Sequence, residues 1–223
     1  TLIDAPLAAE NVLSIEFKEE EAGFLAGAAA GLATKSDRLG FVGGMPVPAV
    51  RRYGCGFIEG ARATNPNSVV DWRYFGDTPI VFRDSDLAVE AADALLASDA
   101  DVIFTATGFA GVAAMRHVAA RGRLAIGVDV NQNHLASGAV LTSATKNIED
   151  AIHDSWSAAA EGDWRPGVKR LGLAEGGVGW AIDRHNRHLV DSIKPHVDAL
   201  AALIASGDLA LQGALSHPNC AEG

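Results

Sequence analysis

Asp129 ends the apolar run LAIGV and is followed by Asn131 and Gln132. A carboxylate at a strand terminus that faces a cleft can accept two hydroxyl hydrogen bonds from a sugar, and such charge-assisted bonds are stronger than neutral ones. The competing reading is an Asx-turn. Lys146 closes the next apolar segment, LTSATK. Its ammonium can pair with Asp129 or donate to a ligand hydroxyl; the alternative is a solvated strand-end lysine. Tyr53, Phe75, Phe82 and Phe109 also fall near strand ends. Rings there can sandwich a planar base, although each taken singly is more often core. The glycines of residues 40–44 (GFVGG) precede a helix, but their spacing is not G-x-G-x-x-G, and Pro46 and Pro48 remove N–H donors. They read as a tight turn lining a cleft, not a dinucleotide loop.

Other chemistry is poorly served. His185 and His188 share a helix face, but no Cys or acidic cluster completes a metal set. There is no G-x-S-x-G elbow and no evident partner for Cys55 as a nucleophile. A binder is therefore expected, not an enzyme, with neither cofactor nor metal. Cys55 and Cys220 are too few for a disulfide scaffold. Nothing in the sequence brings them together, so they are expected to remain unbridged.

These residues need elements to position them. The order is strand and helix in alternation. Strands are expected at residues 11–17, 38–44, 68–75, 101–105, 124–128, 140–145 and 169–173, with helices at 18–34, 48–64, 84–98, 109–121, 148–160 and 189–205. The opening Thr1-Leu2-Ile3-Asp4 reads as the end of a strand. Alternation with continuous apolar strands implies an α/β fold, with parallel sheets covered by helices on both faces. Ligands bind such sheets beyond the carboxyl ends of the strands.

The chain has 223 residues, 48% of them hydrophobic and 21% charged, which suits a globular protein. Its net charge of −10 argues against a nucleic-acid partner. No apolar run is long enough to cross a bilayer as a helix.

Several segments occur together and in order: residues 17–27 (FKEEEAGFLAG), 40–44 (GFVGG), 50–61 (VRRYGCGFIEGA), 74–77 (YFGD), 101–104 (DVIF), 126–129 (IGVD), 140–143 (VLTS) with Lys146, and 171–179 (LGLAEGGVG). In these the chain resembles the basic membrane protein (BMP/PnrA-like) family, the substrate-binding lipoproteins of nucleoside ABC transporters. The resemblance implies a type I periplasmic-binding-protein fold whose two lobes close over a ligand. The amino-terminal lobe would be incomplete, with about 100 residues expected ahead of Thr1, a small domain's worth.

By this resemblance residues 1–37 are a remainder of the amino-terminal lobe and 38–138 the carboxyl-terminal lobe. Residues 139–167 return to the first lobe, 168–183 supply a strand to the second, and 184–223 form a closing helix and tail. The implied function is capture of a purine nucleoside by a monomer and its delivery to a membrane permease. The precursor would be an extracytoplasmic, membrane-anchored lipoprotein. Asp129 and Lys146 match the family's ribose-binding positions, and Glu21 matches a glutamate near the interlobe crossing. Thr107, Gly108, Phe109, Tyr53, Asp77 and Phe82 complete the expected ligand set. The rival functions are a ligand-sensing regulator on the same fold and, less favoured, a nucleoside-processing enzyme.

Overall fold

A computed structural model describes residues 1–212 and 219–220. Two sheets organise the chain. The smaller holds three parallel strands in the order β1 (Leu2–Ile3), β2 (Leu13–Phe17) and β8 (Gly167–Leu171). The larger has six, ordered β4 (Val69–Tyr74), β3 (Arg38–Gly43), β5 (Val102–Ala106), β6 (Leu124–Asp129), β7 (Val140–Lys146) and β9 (Val178–Trp180). All its pairings are parallel except the antiparallel edge strand β9.

Local sequence explains the helices. In α1 (Glu19–Ala33) three glutamates occupy the first turn, where the helix dipole favours negative charge. Helix α2 (Pro48–Thr64) begins on a proline, whose missing N–H has no partner to lose there. In α3 (Ser85–Ala97) the Asp84 carboxylate caps the Leu87 N–H at 3.1 Å. Helix α4 (Gly111–Ala120) follows a short 3₁₀ turn at Gly108–Ala110. Helix α5 (Ile148–Glu161) ends at Gly162 in the left-handed conformation. The expected closing helix is two, α6 (Arg187–Val190) and α7 (Lys194–Ser206), with Pro195 in the first turn of α7.

The expected assignment of strands to lobes needs two corrections. Strand β7 lies in the larger sheet, pairing with β6 through Asp129 and Thr145. Its residues are almost all buried, as a strand covered on both faces requires. Strand β8 lies in the smaller sheet, paired with β2, and its exposed Val168, Lys169 and Arg170 suit an edge. Only β9, unforeseen, carries residues 168–183 back to the larger sheet.

The expectation for the cysteines is also overturned. Cys55 on α2 and Cys220 form a disulfide. The chain leaving α7 returns along α2, where the Gln212 N–H donates to Glu59 at 2.7 Å, one turn beyond Cys55. That tertiary path has no local sequence signal.

The main core joins both sheets through α1, whose Phe24, Leu25, Ala26 and Ala28 to Ala30 are buried. Phe41, Phe57 and Phe104 fill the space between the larger sheet and α2.

Candidate ligand site at the sheet junction

A cavity of about 460 Å³ opens where the carboxyl ends of β5, β6 and β7 meet the start of α2 and the end of β1. Its polar lining comes from Asp4, Tyr53, Asp129 and Lys146; Phe82, Val50 and Val128 are among its apolar walls. Parallel strands β6 and β7 end side by side, which is why two residues distant in sequence meet here.

Lys146 is the hub. Its Nζ lies 2.8 Å from Asp4 Oδ2 and 2.7 Å from Glu19 Oε1. It also sits over the rings of Phe17 and Tyr53, at 5.4 and 5.8 Å from their centroids. Burial alone would lower its pKa, but the Glu19 and Asp129 charges and the bond to Asp4 outweigh burial and raise it. The ammonium is therefore held charged.

Asp129 stands at the end of β6 with a φ of 64°. The turn beyond it is fixed by Gln132, whose side-chain oxygen accepts the Val128 N–H at 2.8 Å. Tyr53 donates its hydroxyl to Asp129 Oδ1 at 3.3 Å. Burial raises the Asp129 pKa despite the opposing pull of Lys146. Burial, with the Asp129 and Glu19 charges, pushes the Tyr53 phenol well above its usual range. So Tyr53 stays a donor. Its ring is fixed edge-on against Phe104, at 5.7 Å between centroids. Glu19, fully buried behind the cavity, joins Lys146 to Arg52, whose Nε donates at 2.6 Å. The arrangement can hold hydroxyl groups by a carboxylate and an ammonium, with two rings and apolar walls for a flat moiety.

The sequence profile of Bmp, ABC transporter substrate-binding protein PnrA-like, matches residues 1–207. The chain belongs to this family. Among its relatives, the CD4+ T-cell-stimulating antigen of Listeria monocytogenes is 30% identical over 217 residues, 90% of this chain and 59% of that protein. The ABC transporter nucleoside-binding protein BmpA of Lactococcus lactis is 28% identical over 202 residues, 82% of this chain and 56% of that protein. An uncharacterized lipoprotein of Pyrococcus abyssi is 31% identical over 188 residues, 78% of this chain and 46% of that protein. The chain thus spans about half the length of these curated relatives.

In three dimensions the Bmp chain superposes on an ABC transporter solute-binding protein from Aeropyrum pernix, with a TM-score of 0.77 and 25% identity. That match covers 93% of this chain and 69% of the other. The fold is that of periplasmic-binding-protein-like solute-binding proteins. The Bmp relatives named for a function are substrate-binding proteins, not enzymes.

Of the nine expected ligand residues of this Bmp protein, the structure gathers five in the cavity: Tyr53, Phe82, Gly108, Asp129 and Lys146. Four lie elsewhere. Thr107 is fully buried and does not line the cavity. Phe109 sits in the middle of the short 3₁₀ turn Gly108–Ala110 and is 73% exposed. Asp77 is exposed in the stretch after β4. Glu21 accepts the Leu173 N–H at 2.6 Å, binding α1 to the chain as it leaves β8 for β9. It thus lies near a crossing between the two sheets and away from the cavity.

Two acids of the site escaped sequence reasoning. Asp4 had a usable signal, since it ends a strand at its carboxyl side, where Asp129 was sought. Glu19 had none, because it begins a helix and reaches Lys146 only through the packing of α1 on β7.

Proposed function

We propose that this chain forms the larger part of a solute-binding protein that captures a purine nucleoside. The ribose hydroxyls bond to Asp129 and Lys146, and the base lies against Tyr53 and Phe82. One observation carries the reading: Asp129 and Lys146 end adjacent strands on a single cavity of about 460 Å³, walled in part by two aromatic rings. That volume is within the range of small-molecule pockets. The name of the Lactococcus relative supports the ligand class. The chain crosses between the sheets three times, between β2 and β3, β7 and β8, and β8 and β9, which gives a hinge on which two lobes close. The loaded protein then presents its ligand to an ABC permease. An extracytoplasmic lipoprotein precursor accords with the Pyrococcus relative's name, and the disulfide suits an oxidising compartment.

Titration calorimetry of the full-length protein with purine and pyrimidine nucleosides tests this. Submicromolar binding of a purine nucleoside is expected, and Asp129→Ala weakens it by about 2–3 kcal/mol if the carboxylate holds two hydroxyls. Absence of heat with every nucleoside sinks the assignment. Unchanged affinity in Asp129→Ala removes that residue from the site.

A further inference from the structure

Among the described residues, Lys146 is the cationic side chain that lines the cavity, and carboxylates already neutralise its charge. An ammonium has three N–H donors. Asp4 takes one of them at 2.8 Å, and the Glu19 carboxylate forms an ion pair with the same ammonium at 2.7 Å. Arg52, the next cation, lies behind the cavity with its Nε on the far oxygen of Glu19, at 2.6 Å. Asp129 brings a further carboxylate to the lining. Among the described residues the cavity wall thus carries two carboxylates against one ammonium, and the Glu19–Arg52 pair behind it cancels.

The start of α2, Val47 to Val50, lines the cavity from another side and opposes this balance. A helix N-terminus carries about half a positive charge, less than the excess of one carboxylate.

Asp4 is the carboxylate that tips the count. It comes from the smaller sheet and spans the junction to Lys146 on the larger one. Its backbone is tied down: the Asp4 N–H donates to the Ile15 carbonyl at 2.9 Å, with φ at 59°. Its side chain keeps 34% exposure at the cavity, whereas that of Lys146 keeps 3%. An anionic group reaching for Lys146 therefore meets Asp4 first and must either displace it or lie against it. We propose that Asp4 is a specificity-determining residue that bars anionic ligands, so that the cavity takes an uncharged nucleoside and rejects its 5′-phosphate. This rests on the nucleoside reading above and adds to it a discriminating residue.

The test compares adenosine with adenosine 5′-monophosphate on the full-length protein by calorimetry. The wild type is expected to bind the monophosphate about 100-fold more weakly, equivalent to about 2.7 kcal/mol. Asp4→Asn is expected to narrow that gap by about tenfold or more, while Asp4→Glu keeps it. Raising ionic strength, which needs no variant, should strengthen monophosphate binding and leave adenosine unchanged, because salt screens the repulsion. Equal affinity for the two probes in the wild type, or a gap unmoved by both Asp4→Asn and salt, overturns the role of Asp4 and leaves the nucleoside reading standing. Binding of neither probe overturns that reading, and the discrimination with it.

Discussion

As the proposed ribose acceptor, Asp129 would act as an anion, yet its surroundings favour the acid. Burial holds its pKa above the ordinary value, with Lys146 pulling the other way. The charged carboxylate accepts a ligand hydroxyl more strongly than the neutral acid does. In the empty protein Asp129 keeps its proton to higher pH than a solvated aspartate, whose pKa is about 3.9. Nucleoside affinity should therefore be level near neutrality and fall as pH drops through that raised value. Stability of the empty fold runs the opposite way. A carboxyl whose folded pKa is raised favours the native state at low pH, and that contribution is lost as pH rises through the folded value. Glu20, also raised by burial, adds to the stability profile but lies outside the cavity and leaves affinity alone. Calorimetry against pH separates these effects. Asp129→Asn should bind weakly and lose the acid limb, whereas an unchanged limb in that variant would assign the titration to another group.

At the level of elements, the cavity depends on how closely α1 and α2 approach. Gly23 and Gly27 of α1 face the backbone of α2, and Gly56 and Gly60 of α2 face that of α1. A Cβ at Gly60 would fall on the Phe24 carbonyl oxygen. Neither backbone can move aside without shifting a whole helix, and the first turn of α2 lines the cavity. Gly60→Ala should cost about 1–3 kcal/mol by overpacking and should also weaken nucleoside binding. Chemical denaturation that finds the variant as stable as the wild type would contradict the close contact. The helices themselves were legible: α2 begins at Pro48 and ends at Thr64 as its composition implies. Their contact was not, although glycines four apart on both helices hint at it. Sheet membership failed for a different reason. Chain order places β7 and β8 next to each other, while burial separates them: VLTSATK has small and β-branched residues suited to two covered faces, and GVKRL carries the charges of an edge. That Asp129 and Lys146 line one cavity was legible because both end strands at the carboxyl side. Glu19 was not, because its role exists only once α1 is packed.

In the whole molecule, segments far apart in sequence meet at the cavity and at the helix that lines it. Asp4 reaches the cavity from β1, and Cys220 locks the returning tail to α2 two residues beyond Tyr53. The bridge joins positions separated by 165 residues, with Cα atoms 5.7 Å apart. A cross-link that closes so long a loop removes much of the unfolded chain's freedom and should stabilise the fold by about 2–5 kcal/mol. It also bears on the site, since Cys55 is held in the core beside Phe57 and the base of α2. Cys220→Ser, or reduction of the wild type, should therefore lower the denaturation midpoint while leaving the secondary structure largely intact. Bound nucleoside should recover part of the loss, because a ligand selective for the native state stabilises it by mass action. Peptide mapping without reductant should recover Cys55 and Cys220 in one linked fragment. Two free thiols in the unreduced, denatured protein would break this account of the tail and of the compartment in which the protein works.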